Sequence, residues 1–241
     1  MFLIINLRQI IFRSKDNNKL GEKRLKKGSI IWSTLLLAIV IFLIVPNTRA
    51  LFEAATNQHP YLMGFLKFAI LATMGEFLTL RIVNKKWIVP LGVIYRILIW
   101  GFLGVVIVLV FDLFNSGVAR LLTKDMLPGS NSGFSLAFFT SLLMNMIFAP
   151  TMMAFHSITD AYIDLNFKVN KQKVNLKNVV EEVSWSHFVS FVVLKTIPFF
   201  WIPAHTIVFL LPEEYRIITA AFLSMALGAI LAFASKKGRI G

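Results

Sequence analysis

The 241-residue chain is 57% hydrophobic, with a mean hydropathy of +0.73, and in a soluble domain that excess would be left as greasy surface in water. It contains no cysteine, which excludes a disulfide framework, thiol catalysis and thiolate metal sites. A net charge of +13 would suggest nucleic acid in a soluble protein, but here the basic residues lie between long apolar segments, so the expected partner is a lipid bilayer and no nucleic acid.

The stretch 1–12 is apolar but too short to cross a membrane, and reads as an interfacial amphipathic piece or a disordered one. A crossing needs about 20 apolar residues. Six segments qualify: 29–46, 61–82, 87–114, 133–157, 185–211 and 216–235. The first has a rival reading as a long signal peptide cut after Thr48 and Ala50, although its apolar run is long for one. The connection 158–184 is polar, rich in Lys and Asn, and expected to be partly helical. The fold class that follows is all-α: a polytopic transmembrane bundle of about six spanning helices.

Lys and Arg outside the spans or at their ends number 8, 1, 3, 2, 4, 1 and 3 from the N-terminal segment to the tail, which sorts 18 to one side and 4 to the other. Six crossings with both termini cytoplasmic satisfy this bias at every loop, whereas five or seven would break it.

Ionisable residues inside spans are costly and turn toward protein or water. Glu76, Arg96 and Lys195 fall at similar depths, roughly 9 to 15 Å from the inner face at the helical rise, so Glu76 is expected to pair with Arg96, Lys195 or both. Lys67 sits near the other face, about 180° around the helix from Glu76, and is expected to snorkel outward. On the fourth span Ser141, Asn145 and His156 share a face that Asp160 extends. On the fifth, Ser184, His187 and Lys195 do the same. Together they suggest a polar seam between spans two, three, four and five, read either as the lining of a pathway or as ordinary interhelical glue.

Pro198 and Pro203 each remove a backbone donor, so the fifth span is expected to kink or break between Lys195 and Thr206, as a hinge or as a static bend. On the last span Ala220, Ser224, Gly228 and Ala232 recur every four residues along one face, a seam for close helix packing with this chain or another.

No catalytic set emerges. The run 133–137 is an incomplete nucleophile elbow without its strand. His156, Asp160 and Asp164 share a face but lack a paired-His metal signature, so neither metal nor cofactor is expected.

Gly75-Glu76, Phe148-Ala149-Pro150 and, most specifically, the run from Trp201 through Pro203, His205 and Pro212 to Arg216 resemble the Mpv-seventeen and twenty-two-kilodalton peroxisomal membrane protein family. The resemblance covers about 61–237, so the chain divides into a basic N-terminal segment with its own span (1–60) and a family-like bundle of about five spans (61–238). His205 stands where the family has Gln, Val208 where it has Asn, and the family's Gly-Asp is Gly75-Glu76. The resemblance implies an integral membrane protein with a proposed role as a channel or small-solute pathway in organelle membranes. It adds His205 to the candidates for the pathway or its buried contacts: Glu76, Arg96, Lys195, Asn145, His156 and His187. A basic N-terminal segment interrupted by Asp16 and Glu22 does not read as an organellar presequence, so the expected location is a prokaryotic plasma membrane. The alternative function is an accessory membrane protein that packs against a second copy or another membrane protein through the Ala220 to Ala232 face, with no pathway of its own.

Overall fold

The computed structural model of the chain describes residues 18–129, 132–167 and 174–237; the apolar stretch 1–12 and the lysines Lys168, Lys171 and Lys173 lie outside them. All regular structure among the described residues is helical. Five helices are long and apolar enough to cross a membrane, and a bent pair makes a sixth. The chain is a multi-pass helical membrane protein.

Helix α1 (Asn18–Ile44) stands at the edge of the bundle and leaves Ile30, Leu37 and Ile44 exposed as a lipid-facing surface. One stripe, Trp32, Leu36, Ile39 and Leu43, packs on the core at helical spacing. Its inner half is pinned by two indoles: Trp32 Nε1 donates to the Met74 carbonyl at 3.0 Å, and Trp87 Nε1 donates to Ser29 Oγ at 3.1 Å. Pro46 ends this helix and opens the next, because a proline lacks the amide a continuing helix needs but fits a first turn. The segment after it, which links the first two spans, is helix α2 (Pro46–Gln58), which buries Phe52 and Thr56.

Helix α3 (Pro60–Asn84) is the centre of the molecule, with buried residues around most of its circumference. A left-handed Lys85 (φ 56°) ends it, and Gly92 (φ 62°) starts helix α4 (Val93–Thr123). The two cross where glycine meets glycine: a Cβ on Gly104 would lie 2.3 Å from the Gly64 carbonyl oxygen, and one on Gly64 2.9 Å from that of Gly104. No larger residue fits either position, which is how membrane helices approach without a hydrophobic driving force.

The fourth span is two helices. Ser132 caps α5 (Gly133–Ile147) by accepting from the Ser135 amide. The chain then bends by 44° at Phe148 into α6 (Ala149–Phe167), with Pro150 in its first turn. This helix runs ten residues beyond the expected end at Ser157 and carries Asp160 and Asp164 with it. A short α7 (Leu176–Glu182) fills part of the remaining connection.

Helix α8 (Trp185–Phe209) is one span, not a broken one. The expected kink is absorbed instead by a π-helical stretch from Phe188 to Trp201 around Pro198, which returns to α-helix at Ile202. Pro203 sits in the first turn of that α-helical part, where its missing amide is tolerated. The winding decides which side chains face inward: Phe188, Val192, Thr196, Ile197 and Trp201 are the buried ones.

Helix α9 (Glu213–Lys237) packs along α3. A Cβ on Gly75 would lie 3.0 Å from the Met225 Cα, so that glycine sets the helix separation. The small-residue ladder is internal: Ala220, Ser224, Gly228 and Ala232 are all buried within this chain. It therefore does not offer the free partner face that the accessory reading needs.

Candidate functional site

The polar residues buried in the bundle fall into three groups along its length. The innermost is built around Arg96, which reaches from α4 and is 3% exposed. Its Nη1 donates to Glu76 Oε1 on α3 at 3.0 Å and to Asp160 Oδ1 on α6 at 2.8 Å. Its Nη2 donates to Asp164 Oδ1 at 2.5 Å, and its Nε to the Leu91 carbonyl at 3.1 Å. One guanidinium thus ties three helices together. Arginine suits the task because its planar fork presents donors in several directions and keeps its charge when buried. His156, one turn above Asp160, lies 3.3 Å from it through Nδ1, and its ring packs against Trp100 with centroids 4.2 Å apart.

Formally this cluster holds three carboxylates against one guanidinium, so it attracts positive charge. The carboxylates converge on the guanidinium and not on a common point beside it. Among the described residues no group of three His, Asp or Glu is arranged to hold a metal ion. Asp160 and Asp164 keep side-chain exposures of 23% and 33%, whereas Glu76 is sealed. The cluster therefore opens toward the inner end of the bundle and closes upward.

The central group joins α5 to α8. Asn145 lies 3.0 Å from His205 Nδ1 through its amide nitrogen, and the same amide donates to the Ser141 carbonyl at 2.8 Å. Ser141 Oγ donates across to the Ile202 carbonyl at 2.7 Å, an acceptor at the point where the π-helical stretch ends. The His205 ring stacks on Trp201 at 5.0 Å and meets the edge of Phe111 at 5.6 Å. A cavity of about 40 Å³, lined by Trp100, Phe111, Asn145, Trp201, His205 and Ser224 among others, lies at this level. That is room for a water molecule and not for a larger solute.

The outer group surrounds a cavity of about 280 Å³ lined by Thr56, Lys67, Phe111, Asp112, Asn115, Glu214 and Arg216 among others. Phe111 lines both cavities and so forms the wall between them. Helix α2 roofs this end. Thr56 Oγ1 accepts from Lys67 Nζ at 2.9 Å, Asn57 reaches Glu214 at 3.5 Å, and Glu53 accepts from the Tyr215 hydroxyl.

The residues expected to form a polar seam are thus only partly assembled. Glu76 and Arg96 meet, His156 joins them through Asp160, and Asn145 meets His205. Lys195 and His187 do not join. Both are exposed on the outer side of α8, where His187 stacks on Phe191 at 5.1 Å. Ser184 is exposed as well, and the buried positions of the π-helical stretch are taken by its aromatic and branched residues. Lys67 does not snorkel freely either: α2 covers it, and it is 6% exposed.

Sequence reasoning misses Asp164 as a ligand of Arg96, and Thr56, Asp112 and Asn115 around the outer cavity. The four-residue spacing of His156, Asp160 and Asp164 carries the first signal. No pattern in the sequence marks the others.

No protein-family model, no curated protein and no solved structure matches the chain.

Proposed function

We propose that the chain forms a gated pathway for a small polar solute or ion through the middle of its bundle, with both termini on the cytoplasmic side of a prokaryotic plasma membrane. The observation that carries this reading is a polar outer cavity adjoining a central one, apolar-walled, across a shared side chain. An outer cavity large enough for a small solute abuts a central one at Phe111, and the central one is lined by Trp100, whose far side packs on His156. Below that, the carboxylates of the Arg96 cluster reach the inner end.

In this arrangement Phe111 and Trp100 are the two gates, and both are shut. Asn145, His205 and Ser224 border the central cavity. The π-helical stretch supports the reading as well, since such stretches recur at functional sites and let one half of a helix turn relative to the other. The resemblance of the 201–216 run to the Mpv-seventeen family points to the same class of activity. The bias of Lys and Arg supports the orientation.

The test is flux in liposomes reconstituted with the purified chain. Replacing Phe111 with Ala removes the wall between the cavities and should raise solute or ion leak by at least about tenfold, because side-chain gates close by excluding water from a narrow apolar constriction. Glu76→Gln should shift the cation-to-anion permeability ratio toward anions. Phe111→Ala protein that is folded yet as tight as the parent would overturn the pathway.

A further inference from the structure

The outer cavity holds two groups that the protein leaves unfinished. Lys67 is almost wholly buried, yet its ammonium has only the Thr56 hydroxyl at 2.9 Å, a distant Glu214 carbonyl oxygen at 3.5 Å and the face of the Phe52 ring at 4.5 Å. No described carboxylate touches it: Glu214, on the same cavity, directs its carboxylate to Asn57 and acts on the ammonium only at longer range. A buried charge without a counter-ion is costly, and such charges are ordinarily paired. On the same cavity wall the side-chain oxygen of Asn115 is buried with no hydrogen-bond donor, an unusual state for a native polar atom.

Asp112, one helical turn before Asn115 on α4, lines the cavity too. Arg216 contributes little free charge, since it is engaged by Glu213 at 3.3 Å and by the Leu211 carbonyl at 3.0 Å. What remains is a cation with no anion in contact on one wall, and on another a carboxylate beside an acceptor lacking a donor. The ligand that completes both carries an anionic oxygen group and an ammonium on a small frame.

We propose that the outer cavity is a binding site for a small zwitterionic solute of the amino-acid type, its carboxylate received by Lys67 and its ammonium by Asp112 and Asn115. The cavity volume of about 280 Å³ admits such a molecule and is too small for a nucleotide or a peptide. The α2 helix is the roof under which it sits, and Phe111 is its floor. The site stands whether or not the bound molecule then crosses the bundle.

The experiment is binding of L-serine to the full chain in lipid nanodiscs by calorimetry, with L-lactate and ethanolamine as probes lacking the ammonium and the carboxylate respectively. Serine should bind, and each half-probe should bind at least about tenfold more weakly, since each forfeits one charge-assisted contact. Lys67→Met should weaken serine binding by at least about 30-fold. If that variant does not fold, Asn115→Ala tests the opposite wall and should cost about tenfold.

Absence of serine binding to the parent protein overturns the site. So does lactate binding as tightly as serine, or serine affinity unchanged in Lys67→Met or Asn115→Ala. Serine binding in a protein that supports no liposome flux keeps the site and removes the pathway; flux without serine binding does the reverse.

Discussion

Arg96 and Lys67 are buried cations near opposite ends of the crossed pair α3 and α4, and the chain treats them in opposite ways. Arg96 is given more acid than it can neutralise: Glu76, Asp160 and Asp164 within 3.0 Å, and the Leu91 carbonyl besides. Lys67 is given a hydroxyl and an aromatic face. The difference separates two jobs that buried charge can do. A cation whose donors are used by three helices fixes those helices. A cation whose donors are not all used is a receptor for something else.

The largest effect expected from this comparison is at the clasp. Arg96→Met leaves three carboxylates, one on α3 and two on α6, facing one another with nothing to hold them. Removing one partner of a buried ion pair costs about 3–5 kcal/mol, and here one side chain serves three pairs, so thermal unfolding in detergent should show a loss at the upper end of that range or no folded protein at all. A variant that melts within a degree or two of the parent would show that the carboxylates do not depend on the guanidinium.

The opposite sign is expected at the receptor. Lys67→Met keeps the length and apolar stem of the side chain and removes a charge that no carboxylate contacts in the ligand-free protein. Its folded state should be more stable than the parent by about 1 kcal/mol, because the desolvation of the ammonium disappears with little lost in exchange. A clear drop in stability would mean that the bond to Thr56 holds α2 in place and that Lys67 is a second clasp. The comparison would then collapse into one kind of site.

How much of this is legible in the sequence follows the same division. The spans are visible because about 20 apolar residues in a row form a stretch that water does not tolerate and lipid does. The pairing of Glu76 with Arg96 follows from depth alone, since rise per residue is fixed. Asp160 and Asp164 show the right spacing, but the bend at Phe148 hides the extent of α6, so in the sequence they belong to a connection. Asn145 and His205 each stand out along the chain, and only the packing of α5 on α8 joins them. Sequence alone misplaces Lys67 because the segment over it reads as a loop, and a loop does not roof a lysine. Nothing local marks Asn115 or Asp112, whose importance lies in what they border.

Lys195 supplies the smallest expected effect and the sharpest control. By depth it belongs beside Glu76, and its charge is the same as that of Arg96. Its helix decides otherwise. In the π-helical stretch the inward positions are taken by Phe188, Val192, Thr196, Ile197 and Trp201, and Lys195 is exposed on the opposite side. A lysine facing lipid stretches its four-carbon stem along the helix and carries the ammonium toward the nearer headgroups. It gives nothing to the Arg96 cluster and takes nothing from it. Lys195→Met should therefore move stability by no more than about 0.5 kcal/mol, and in a double variant with Arg96→Met the two effects should add, because residues without shared contacts do not couple. Non-additive unfolding energies in that cycle would place Lys195 at the carboxylates after all, in a state where α8 has turned about its π-helical stretch.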